Sequence, residues 1–71
     1  METVKIDTEF IRLDDLLKWT GVASTGGQAK IMIKSGLILV NGDVCEMRGK
    51  KLRNGDVVTV PHEKREIAVA Y

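Results

Sequence analysis

The stretch GVASTGGQAK, residues 21–30, sets two glycines beside a serine and a threonine where an apolar periodicity restarts. Three readings compete for it: a phosphate cradle, a flexible linker, and the capped start of a helix. Gly21 to Gly26 matches the G-x-x-x-x-G half of a nucleotide-binding P-loop. That loop then needs Lys and Ser or Thr for the phosphates and magnesium, and here Gly27 and Gln28 follow instead. A P-loop also follows a strand, whereas this stretch follows a helical pattern. The cradle reading fails on both counts. Thr25-Gly26-Gly27-Gln28 has the form of a capping box, with the threonine oxygen on the N3 amide and the glutamine reaching back. Ser24 is an equally good cap one position earlier. Ala29, Met32 and Ile33 then make an apolar face, Lys30 and Lys34 align one turn apart on the other side, and Gly36 is the expected stop.

The glycines of that first turn have two explanations, and both stay open on sequence grounds. They leave the amides at the positive end of the helix approachable by an anion, with Lys30 one turn on and the Ser24 and Thr25 hydroxyls at hand. Alternatively, they allow close helix–helix packing at a tight turn.

Upstream, IRLDDLLKWTG places Leu13, Leu16, Leu17 and Thr20 at i, i+3, i+4 and i+7, one helical face. Asp14 and Asp15 in the first turn and Lys18 in the last suit the helix dipole, and Gly21 is a natural stop. Trp19 lies at the edge of this stripe, on the side of Arg12 and Asp15, where core or boundary packing is expected over base stacking. Val4 to Ile6 suits a short opening strand. Downstream the period becomes two: LILVNGDVCEM is a pair of apolar runs flanking Asn41-Gly42, the preferred pair for a two-residue type I′ hairpin. RGKKLRNGD follows as a basic, glycine-punctuated loop. Residues 57–60 form a strand stopped by Pro61, and IAVAY is a candidate last strand. The reading is α+β: two short helices packed on a small, mostly antiparallel sheet.

The chain has 71 residues and a single cysteine, so it is one domain that folds on its core alone. No Cys/His cluster suits zinc, no apolar run approaches a membrane span, and no signal-peptide pattern opens the chain. A lone cysteine, expected as a small buried hydrophobe in a strand, fits a reducing compartment, and a cytoplasmic location is expected. His62 is a surface histidine. Asp14 and Asp15, adjacent on a helix, do not face one another for acid–base work, and no nucleophile, base and oxyanion hole assemble, so no catalysis and no cofactor are expected.

The net charge of +1 conceals an uneven distribution. Residues 1–17 sum to −3, residues 18–53 to +5 and residues 54–71 to −1. Arg48, Lys50, Lys51 and Arg53 put four cations in six residues, and such crowding finds its counter-charge in phosphates or is simply solvated.

RLDDLL, AST, QAKIMIKSG and LILVNG occur in the order and spacing of the alpha-L RNA-binding motif, the domain first known from ribosomal small-subunit protein four. The resemblance covers about residues 11–60 within a domain of residues 1–71. With STGGQAK and this length, the chain looks most like the short, stand-alone bacterial members often called YaaA- or YbcJ-like. The resemblance implies binding of structured RNA, ribosomal RNA foremost, across the two helices and the start of the following strand. By position it brings Arg12, Lys18, Ser24, Thr25, Gly26, Gly27, Gln28, Lys30, Lys34 and Asn41 to or beside the RNA face, although Asn41 equally serves its turn. Many family members carry an arginine where Gly26 stands. Lys50, Lys51 and Arg53 would compensate if their loop folds back beside the second helix. The alternative is a small β-grasp-like protein-interaction module without RNA binding, suggested by LILVNGD. The sulfur carriers of that class end in Gly-Gly, and this chain ends AVAY.

Overall fold

The structure, a computed structural model, describes all 71 residues, Met1–Tyr71. The elements run β1 (Glu2–Lys5), β2 (Ile11–Arg12), α1 (Leu13–Trp19), α2 (Gly26–Lys34), β3 (Leu39–Val40), β4 (Asp43–Val44), β5 (Lys51–Leu52), β6 (Val57–Val60), a 3₁₀ turn (Pro61–Glu63) and β7 (Arg65–Ala70).

Both helices form where the apolar spacing places them. Leu13, Leu16 and Leu17 of α1, with Ala29 and Ile33 of α2, are fully buried. Thr25 is the N-cap of α2, its Oγ1 accepting the Gln28 N–H at 3.0 Å. Gln28 Oε1 reaches back to the Ser24 N–H at 2.6 Å, one residue beyond the usual capping-box partner. Ser24 therefore contributes its backbone to the cap and Thr25 its hydroxyl. At the other end Gly36, at φ +78°, donates to Ile33 O while Leu37 donates to Met32 O, a Schellman closure.

Five strands form one sheet in the order β1-β7-β6-β3-β4, and β2 pairs with β5 as a separate two-stranded ribbon. The alternation is clear in the long strands: Val58, Val60, Ile67 and Val69 face the core, while Val57, Thr59, Ala68 and Ala70 are half-buried on the other side. Asn41 (φ 51°) and Gly42 (φ 88°) make the β3–β4 hairpin turn as expected. The core is one cluster drawing on both helices and the inner sheet face.

The sheet is mostly antiparallel, as expected, and other expectations need correction or refinement. One pairing is parallel: β1 runs alongside β7 with Glu2 opposite Ile67 and Lys5 opposite Ala70. This pairing joins the two ends of the chain and leaves no turn signal between them. RGKKLR is not all loop: Lys51 and Leu52 form β5, with Leu52 fully buried opposite Ile11. Cys45 lies just past β4 and is half-buried, its apolar side against the core. The β-grasp alternative does not hold either, since two successive helices stand between β2 and β3.

Candidate nucleic-acid interface

The start of α1 and the basic segment 48–52 build one another. The N-cap of α1, Arg12, provides no side-chain cap. The first helical amides are met from across the chain: Leu13 N–H donates to Lys50 O at 2.9 Å and Asp14 N–H to Arg48 O at 3.1 Å. Asp15 N–H donates to Asp14 Oδ1 at 2.9 Å. Backbone carbonyls of the basic segment thus satisfy donors that a helix start leaves orphaned. The β2–β5 pairing sets Lys51 opposite Arg12. The loop therefore folds back beside the first helix and not the second, because its carbonyls are drawn to the uncapped α1 amides and Leu52 to the core.

At this junction Asp14 is only 4% exposed. Its Oδ2 accepts from Arg12 Nη2 at 3.1 Å and from Arg48 Nε at 3.3 Å. The two arginine side chains remain 48% and 43% exposed. A buried carboxylate needs such partners, since desolvation without them costs several kcal/mol. Gly49 lies under Arg12, where an added Cβ would sit 3.5 Å from Nη2. Arg48 is legible in the sequence as one of four crowded cations in the basic segment, but its pairing with Asp14 is not predicted there. Its signal in the sequence is Asp14 itself, three residues from Leu17 on a buried helical side and so in need of a cation.

Beside this pair, Lys51 Nζ lies 4.8 Å from the centre of the Phe10 ring and the Arg53 guanidinium 5.6 Å. Such cation–π contacts hold the side chains while leaving the charge exposed. Arg53 also pairs with Glu9 at 3.1 Å, and Lys18 with Asp15 at 3.3 Å. Lys30, Lys34, Lys50 and Lys51 are exposed and make no ion pair with any carboxylate.

The start of α2 is open. An added Cβ at Gly26 meets nothing within 4 Å, and at Gly27 only Thr25 Oγ1 at 3.9 Å. Neither glycine has a positive φ, so close packing does not account for them. Ser24, Thr25 and Gln28 are exposed, with the Thr25 hydroxyl and the Gln28 carbonyl engaged in the cap.

Asn41 belongs to the fold. Its Nδ2 donates to Asp56 Oδ1 at 3.0 Å, and its Oδ1 accepts the Val57 N–H at 2.9 Å. Asp56 also accepts the Arg53 N–H at 2.8 Å. That backbone bond, with the Asn41 amide and nearby Lys50 and Arg53, holds the Asp56 carboxyl below its ordinary pKa. Trp19 corrects the expectation of core or boundary packing, for it is 65% exposed. It is the last residue of α1, where the chain turns away before neighbours can cover the ring. No group of three or more His, Cys, Asp or Glu side chains is placed to hold a metal ion.

Two consecutive short helices, the second capped by Thr25, followed by a strand and an Asn-Gly hairpin, with exposed cations on α2 and beside α1, define an alpha-L motif. The solution structure of YbcJ from E. coli, described as an alpha-L motif involved in RNA-binding, superposes on the whole chain with a TM-score of 0.73 and 30% identity, over 89% of that protein. Residues 4–69 match the family model of the S4 domain, and the chain belongs to that family. It is 42% identical over 57 residues to the probable ribosome maturation protein RlbA of Bacillus subtilis, covering 80% of each chain. It is 31% identical over 58 residues to small ribosomal subunit protein uS4 of Nitratidesulfovibrio vulgaris, covering 82% of this chain but only 28% of that protein. No helix is long and apolar enough to cross a membrane.

Proposed function

We propose that this protein is a non-enzymatic RNA-binding module that recognises structured RNA, ribosomal RNA foremost, by shape and backbone charge, and acts in ribosome assembly or translation in the cytoplasm. The observation that carries the reading is that Lys30 and Lys34 on α2, and Lys50 and Lys51 beside α1, are exposed and without carboxylate partners. Phosphates are the counter-charge such a set lacks, and release of their condensed cations adds affinity. Arg12, Lys18 and Arg53 extend the charge. Ser24, Thr25, Gly26, Gly27 and Gln28 admit a phosphate to the open start of α2. Asn41 is left to its turn. Membership of the S4 family, a relative named for ribosome maturation and a solved relative described as RNA-binding support the RNA target.

Crosslinking in cells, followed by sequencing of the attached RNA, tests the reading. Enrichment of ribosomal RNA or its precursors is the expected result. Recovery of no RNA above background would overturn it in favour of a protein-interaction role.

A further inference from the structure

We propose that Arg12 and Arg48 form a phosphate clamp set by Asp14, so that Asp14 is a positioning residue of the interface although it touches no ligand itself. The inference rests on the RNA-binding reading and goes further, to a single phosphodiester, the two arginines that receive it and the carboxylate that positions them.

The geometry points to this in three ways. First, one guanidinium would neutralise the Asp14 carboxylate, yet two converge on it, so the cluster carries a surplus positive charge. Secondly, both bonds end on the same oxygen, Oδ2, which draws the two like-charged groups together. Mutual repulsion opposes that approach, and an anion bridging their outer edges relieves it. Thirdly, each guanidinium has five donors and spends one on Asp14, through Nη2 of Arg12 and Nε of Arg48. The remaining donors belong to side chains about half exposed, and the planar fork of each matches the two free oxygens of a phosphodiester. The base of the cluster is fixed, because the backbone of residue 48 is held by Asp14 N–H and that of residue 50 by Leu13 N–H. Loss of side-chain freedom on binding is correspondingly reduced.

The test is filter binding of deproteinised bacterial ribosomal RNA to the full chain at several salt concentrations, with thermal unfolding of each variant. Arg48→Lys keeps the charge but loses the fork and the Nε anchor. The clamp predicts about a tenfold loss of affinity with the salt slope retained. Binding is measured well below the variant's own unfolding temperature, so that any loss of stability is separated from loss of binding. Arg12→Ala and Arg48→Ala combined should weaken binding little beyond the worse single change, as expected of two groups on one phosphate. Asp14→Asn provides a test of sign. Removing a negative charge beside RNA tightens binding if charge alone matters, whereas the clamp predicts weaker binding by the folded variant. An Arg48→Lys protein that binds like the wild type overturns the clamp and leaves the RNA-binding reading standing, even if Asp14→Asn fails to fold. Absence of wild-type binding overturns both.

Discussion

Arg48 lies 34 residues from Asp14 in sequence, yet its Nε reaches Asp14 Oδ2 at 3.3 Å. This contact and the two backbone bonds beside it fasten the basic segment to the start of α1. Asp14→Ala should therefore destabilise the fold by about 2–3 kcal/mol, the range for a hydrogen-bonded charge whose partners stay partly hydrated. Lys50→Ala, which removes only a free cation, should stay within about 0.5 kcal/mol of the wild type. Urea unfolding of the two variants side by side checks the contrast.

Gly26 offers an experiment in which stability and binding move together. It is the first residue of α2, with no positive φ and open space around its missing Cβ. Gly26→Ala should stabilise the protein by about 0.5–1 kcal/mol through the lower freedom of the unfolded chain. Gly26→Arg should fold, and it should bind RNA more tightly by adding a cation at the open start of α2. Unfolding of the arginine variant would show that the glycine is needed for packing after all.

Asn41 should matter to folding alone. Asn41→Ala loses the bonds to Asp56 and Val57 and places a Cβ without helpful hydrogen bonding at φ 51°. A cost of about 2 kcal/mol is expected, with RNA affinity unchanged once the variant is folded. Calorimetry and filter binding separate the two effects.

Asp56 gives the fold part of its acid sensitivity. Its carboxyl is held below the ordinary 3.8, first by the Arg53 N–H and then by the Asn41 amide. A carboxyl with a depressed folded-state pKa contributes stability that is fully present above 3.8 and is lost as the pH falls through the lower folded value. Asp56→Asn should be less stable than the wild type at neutral pH, and the gap should narrow below 3.8. Thermal unfolding across that range reads the convergence directly.

What could be foreseen in the sequence follows from how locally each feature is specified. The helices are legible because Leu13, Leu16 and Leu17, then Ala29, Met32 and Ile33, repeat within a single helical face, and the hairpin because Asn41-Gly42 carries its own backbone preference. The β2–β5 ribbon is not, since two-residue strands have no period and Ile11 finds Leu52 only once the core forms. For the same reason the charge of Arg48 is legible but its pairing with Asp14 is not: the bond that places Arg48 is non-local. Trp19 misleads because periodicity gives the side of the helix but not whether any neighbour covers its last turn. The lysines are legible as a basic cluster, but the placement of Lys50 and Lys51 beside α1 and not α2 is not, because the backbone bonds that fix it are non-local.

The central claim is that unpaired cations on this fold are satisfied by RNA phosphates, and its most direct measurement is the salt dependence of binding to deproteinised ribosomal RNA. With about five phosphates engaged, log K should fall against log salt with a slope of roughly −3.5 to −4.5. Binding whose strength is indifferent to ionic strength would contradict the account.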